Sequence, residues 1–189
     1  SIAHSGERPL RTGLEEARSE IQKAAELDLG DHLQFVIGRQ RSDLRGPPLG
    51  GGSFPVEVRI AGKTFGNFQI DVAFGDALTG PPEELVGDDL LAFAGVKPAR
   101  VSAISKAQQF AEKVHAYTYP WTDRENTRVK DLVDLLLLVE RGNLDPMELR
   151  AALEATFRVR RKQDLPKGLP PPPQGWAAEY RALAMEANV

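Results

Sequence analysis

The chain has 189 residues, 41% of them hydrophobic and 27% charged, with a net charge of −3 and no cysteine. This balance supports a globular domain with a core of its own. It excludes a disulfide scaffold, a thiolate zinc site, a cysteine nucleophile and a protein that coats nucleic acid through bulk positive charge.

The longest strongly apolar stretch, Leu135 to Val139, is too short to span a bilayer. No secretory leader is legible around Glu7 and Arg8. The lack of cysteine fits a reducing cytoplasm. His4, His32 and His115 are scattered and do not suggest a histidine-based metal site.

Leu10, Leu14, Ala17, Ile21 and Ala24 recur at helical spacing and predict an amphipathic helix. Asp28-Leu29-Gly30-Asp31 closes it, and Leu33 to Ile37 reads as a short strand. The glycine run from Gly46 to Gly52 has no Lys-Ser/Thr after it and opens no helix. It therefore reads as a flexible connector rather than a phosphate loop. Val56 to Ile60 and Thr64 to Phe74, joined through Ala61-Gly62-Lys63, predict a β-hairpin. In its second strand Phe68, Ile70, Val72 and Phe74 share one face, and Gln69, Asp71 and Ala73 share the other. Asp is depleted in strands, so Asp71 requires water, a cation or a donor opposite it. Leu85 to Val101 is apolar but broken by Gly87, Gly95 and Pro98, and its state stays open.

Helices follow with clearer signals. Ser105 and Gln108 fit a capping box ahead of Phe110, Ala111, Val114 and Tyr117. Lys113 lies at the edge of that apolar arc, placed either to snorkel to water or to enter a cleft. A second helix, roughly Thr127 to Arg141, is apolar almost all round, which predicts burial. Its narrow polar side holds Lys130, Asp131 and Asp134, with Lys130–Asp134 and Arg128–Asp131 spaced as ion pairs. Those charges either brace the helix or face a cleft. A third helix begins at Asp145-Pro146-Met147-Glu148, with Asp145 as N-cap. Arg158, Arg160, Arg161, Lys162 and Lys167 face Asp164 alone in the segment Arg158–Lys167. That run reads as a solvated helix end, or as a phosphate-contacting patch. Pro170 to Pro173 forms an extended spacer, read as a strut for a last helix from Trp176 to Ala187.

Three segments then stand out in order: Ile70-Asp71-Val72, Ala111-Glu112-Lys113-Val114-His115-Ala116-Tyr117, and Arg128-Val129-Lys130-Asp131-Leu132-Val133-Asp134-Leu135. Together they resemble the nucleotidyltransferase AbiEii/AbiGii toxin family of the polymerase-β-like superfamily, from about Leu29 to the C-terminus. The resemblance implies a bacterial toxin–antitoxin or phage-defence enzyme that moves a nucleotidyl group from an NTP to RNA, tRNA among the candidates, or to a protein. It implies Mg²⁺, a cognate antitoxin, a cytoplasmic location and no membrane association. It gives Asp71 the place of a metal-holding or acceptor-activating carboxylate. Lys113 would meet the triphosphate, with Arg128, Lys130 and Asp131 on the nucleotide side and Asp131 counted with Asp71 and Lys113 in catalysis. Arg128 and Asp134 would also brace their helix. The resemblance assigns no role to Asp76 or to Arg158–Lys167.

The family's first motif, a Gly-Gly/Ser turn before a strand carrying Asp-x-Asp/Glu, has no match in these residues. The expectation is accordingly an N-terminally incomplete, inactive form with an incomplete metal site. The alternative is a degenerate protein that binds nucleotide or antitoxin without catalysis. The expected fold is α+β, a small mixed or antiparallel sheet packed on helices. A sheet region over 1–104 would be followed by a helical region over 105–189, the two forming one compact body. An exposed sheet edge would favour self-association.

Overall fold

The computed structural model describes residues 4–28, 30, 32–44, 46–90, 92–95, 97–122 and 125–189. Leu29 and Asp31 of the expected helix stop lie outside them. The chain divides into two compact units, Ser1–Asp76 and Ala77–Val189. Both are built of helices and small antiparallel sheets, an α+β fold as expected.

In the first unit, helix α1 (His4–Ala25) lays one stripe on a sheet. Leu14 is buried there, with Leu10, Ile21 and Ala25 beside it, against Ile37, Phe54, Val56, Ile70, Val72 and Phe74. Ala24, expected on this stripe, is exposed, and Ala25 takes its place. Two polar ties fix the helix to strand β1 (Leu33–Ile37). The Arg18 guanidinium donates to the carbonyls of Ile37 and Gly38 at 2.8 and 2.9 Å, and the Ile37 N–H donates to the Gln22 side chain at 3.2 Å.

Strand β3 (Gly51–Ile60) is central. Strand β4 (Lys63–Ala73) pairs with β3 from end to end apart from a register shift between Val58 and Arg59, while β1 and the short strand β2 (Ser42–Leu44) pair with the two halves of β3. The expected hairpin is present. Its two-residue turn places Ala61 and Gly62 at φ of 49° and 76°, the doubly left-handed turn that matches strand twist. The glycine run is a connector only in part, because Gly51 and Gly52 are buried inside β3. A Cβ on Gly51 would lie 2.3 Å from the Val72 carbonyl oxygen, so the close approach of β4 requires glycine here.

In the second unit the undecided apolar stretch forms a two-stranded ribbon, β5 (Glu83–Val86) against β6 (Arg100–Ala103). Four helices follow: α2 (Lys106–Tyr117), α3 (Val129–Arg141), α4 (Pro146–Arg160) and α5 (Ala177–Ala187). Asp145 caps α4 as expected, accepting from the N–H groups of Met147 and Glu148 at 2.9 Å. Val114, Tyr117, Val129, Leu135, Phe157 and Trp176 form the core, with Tyr180 and Leu183 of α5 packed on it. The proline spacer acts as a strut: Pro170 accepts from the Tyr117 hydroxyl at 2.7 Å, and the Trp176 indole donates to the Asn126 carbonyl at 3.0 Å. Helix α3 is less enclosed than its composition predicts. Val129, Val133 and Leu135 are buried, but Val139 is 62% exposed.

Candidate functional site

Asp71 sits in β4 directly opposite Ser53 of β3. Strand alternation puts Gln69 on the same face. The fully buried Ser53 hydroxyl donates to Asp71 Oδ1 at 2.5 Å, and the Gln69 amide donates to the same oxygen at 3.0 Å. The donor that a mid-strand carboxylate requires is therefore a serine. Among the described residues no side chain donates to Oδ2. The Ser53 hydrogen bond, helped by Gln69, holds the Asp71 pKa below its ordinary value. Asp71 is thus an ionised, exposed carboxylate with one oxygen fixed and the other open.

In the second unit Lys113 turns from the edge of α2 onto the polar side of α3. Its ammonium contacts Asp134 Oδ2 at 2.6 Å and Asp131 Oδ1 at 3.2 Å. Asp131 uses its other oxygen for Arg128, at 3.5 Å, as the sequence spacing predicts. The Arg128 guanidinium also lies 5.8 Å from the Trp121 ring centre. The side chains of Lys113, Asp131 and Asp134 are 25%, 16% and 28% exposed, so this is a half-buried cluster of two cations and two anions. Burial pushes the Lys113 pKa down, but the Asp134 hydrogen bond and the charges of Asp131 and Asp134 outweigh it, and the net shift is upward.

One expected contact does not form. Asp134 pairs with Lys113 rather than with Lys130, which is exposed and makes no ion pair among the described residues. Helix α2 packs against α3 and delivers a cation to Asp134 from outside the helix, replacing the local i,i+4 partner. Lys113 therefore neither snorkels to bulk water nor stands open in a cleft.

A neighbouring polar network had no sequence signal. Ser105 does cap α2, accepting from the Gln108 N–H at 3.2 Å. The Gln108 side chain, 1% exposed, does not reach back to complete the capping box. It accepts from the Thr79 hydroxyl at 2.7 Å and donates to Glu112 at 2.9 Å and Thr156 at 3.2 Å. Glu112 also pairs with Arg160 of α4 at 3.3 Å. Thr79 and Thr156 lie 29 and 48 residues from Gln108, beyond any local pattern.

Neither carboxylate set by itself fits a resident Mg²⁺. Asp71 offers one carboxylate with neutral neighbours, whereas Asp131 and Asp134 would have to release the Lys113 ammonium first. Among the described residues no three histidine or acidic side chains gather closely enough to hold a metal ion. No described helix is long and apolar enough to cross a membrane.

No curated protein matches the sequence. A family model does, that of the nucleotidyl transferase AbiEii toxin of the type IV toxin–antitoxin system, over residues 4–187. The match reaches back well before Leu29, where the motifs alone place its start, and takes in α1 and the whole sheet. It implies a nucleotide substrate and an antitoxin partner. With nearly the whole chain matched, this protein belongs to the AbiEii nucleotidyltransferase toxin family of type IV toxin–antitoxin systems.

Proposed function

We propose that this chain acts in the cytoplasm, in toxin–antitoxin function and phage defence, by transferring a nucleotidyl group from an NTP to an RNA acceptor. tRNA is one candidate acceptor, and a protein side chain is the alternative to RNA. The match over residues 4–187 carries this reading. Nucleotidyl transfer is mostly positioning and charge neutralisation, with little covalent work for the protein. In the proposal Lys113 neutralises the triphosphate as a compact point charge. Its two aspartate contacts make it a latch, because phosphate oxygens must displace carboxylates to reach the ammonium. Arg128 and Lys130 would supply further charge on the nucleotide side, and Asp131 would hand Lys113 over.

Asp71 would orient the acceptor hydroxyl. A carboxylate with a lowered pKa is a weak proton acceptor, so its contribution is mainly to align the hydroxyl through the open Oδ2.

One observation favours a second reading, a non-catalytic nucleotide- or antitoxin-binding protein. Asp131 and Asp134 are both engaged by Lys113, and Asp71 is held by neutral donors. The two readings separate on incubation with labelled NTPs, Mg²⁺ and total RNA. Transfer that disappears in Asp71→Ala supports the enzyme. Nucleotide binding that is lost in Lys113→Ala, with no transfer by the unmodified chain, supports the second reading.

A further inference from the structure

The basic segment after α4 has no place in the chemistry above, yet it is anchored. Gln163 donates to the His115 carbonyl at 2.8 Å and to the Thr118 hydroxyl at 3.0 Å, pinning the segment to the end of α2. Pro170 fixes its far end through Tyr117. Arg158 in the last turn of α4, and Arg161, Lys162 and Lys167 beside these anchors, are all exposed. Among the described residues no carboxylate pairs with Arg158, Arg161 or Lys167, while Arg160 turns inward to Glu112.

The α4 dipole accounts for the cations in its last turn, but that field fades within a turn and does not reach Lys167. A second observation is independent of charge. Arg161 is the C-cap residue and holds a left-handed conformation, φ 46° and ψ 29°, where glycine is the ordinary choice. A bulky cation therefore stands at a backbone conformation that L side chains rarely adopt.

We propose that Arg158, Arg161, Lys162 and Lys167 form a docking surface for the phosphate backbone of the RNA acceptor. This rests on the reading that the acceptor is RNA. Four exposed cations within one anchored ten-residue segment, on a chain of net charge −3, concentrate attraction in one place without general affinity for polyanions. Guanidinium forks at Arg158 and Arg161 match phosphate oxygens in pairs, and the lysines add point charges along the strand.

The test is binding of the full chain to unfractionated tRNA, without NTP or Mg²⁺, across a salt series. The variants are Arg161→Gly alone and Arg158→Gln/Arg161→Gly/Lys162→Gln/Lys167→Gln. Arg161→Gly relieves the left-handed backbone, so its melting temperature should be unchanged or higher while its tRNA affinity falls. The fourfold variant should bind at least tenfold more weakly. Its salt slope should flatten by about 0.7 for each single-stranded phosphate no longer neutralised, or about 0.9 for each duplex phosphate. Equal affinity and slope in both variants would overturn the proposal, as would failure of the unmodified chain to bind tRNA. Retained tRNA binding with loss of the antitoxin complex would overturn it in favour of an acidic protein partner. Charge-dependent tRNA binding here, together with no label transfer in the separate incubation with labelled NTPs and Mg²⁺, would sink the enzymatic reading and leave this surface standing as an RNA-binding one.

Discussion

Replacing Lys113 with methionine keeps the aliphatic stem and removes the ammonium. It leaves Asp131 and Asp134 half-buried, with Arg128 the remaining partner of Asp131 at 3.5 Å. At an effective dielectric of about 20, contacts as short as those of Lys113 carry gross attractions of about 5 to 6 kcal/mol each. Desolvation of the partly buried ions offsets most of that. With side chains between 16% and 28% exposed, the net cost should fall between an exposed pair, about 0 to 1 kcal/mol, and a broken buried pair, about 3 to 5 kcal/mol. The expected loss is about 2 kcal/mol.

Urea unfolding followed by tryptophan fluorescence reads it directly, since Trp121 and Trp176 both lie in the second unit. Further neutralisation by Asp131→Asn and Asp134→Asn should recover most of the loss, because the cost is that of stranded carboxylates. The pH dependence follows from the raised Lys113 pKa. Stabilisation by a raised cation is fully present below its unfolded value of about 10.4 and is lost as pH rises through the higher folded value. The gap between the two proteins should therefore be flat from about pH 6 to 9 and close only in strong alkali. A loss under about 0.5 kcal/mol would show the cluster to be an ordinary surface pair.

Gln108→Leu should cost about 2 to 3 kcal/mol in the same assay, because the buried Thr156 and the partly buried Thr79 and Glu112 each lose a partner; a change within about 0.5 kcal/mol would refute the network. Gly51→Ala should lower the melting temperature of the first unit sharply by forcing β4 away from β3, whereas Gly62→Ala, strained at its turn but facing open space, should cost only about 1 kcal/mol. Glu57 accepts from Arg59 and Thr64, and its carboxyl is pulled down to about 2. Its NMR titration should centre there, and its stabilising contribution should be present above about pH 4.3 and vanish as pH falls through about 2. A midpoint near the ordinary carboxylate value would contradict that geometry. Asp145→Ala should cost about 1 to 2 kcal/mol by freeing two N–H groups of α4; an unchanged urea midpoint would refute the cap.

The legible parts of this fold are those written in local pattern. The Asp145-Pro146 start, the Ser105 cap, the Ala61-Gly62 turn and the alternation around Asp71 each concern residues close in sequence, and each formed. The strand character of Gly51 is not legible, since its reason is the distant backbone at Val72. Asp134 illustrates the same limit at the candidate site. Its helix spacing points to Lys130, but packing of α2 on α3 supplies Lys113 from 21 residues away. The residues that carry the family resemblance can be named from sequence; the clamp that holds Lys113, and the serine that holds Asp71, need three dimensions.

The most direct measurement compares two labels in the transfer reaction. The chain is incubated with total RNA, Mg²⁺ and NTP carrying label either at the α-phosphate or at the γ-phosphate. Nucleotidyl transfer moves the α-phosphate to the acceptor and releases pyrophosphate. The α-label should appear on RNA, none should come from the γ-label, and the signal should be lost in both Asp71→Ala and Lys113→Ala. Transfer of γ-label, or α-label transfer untouched by either substitution, would contradict this chemistry.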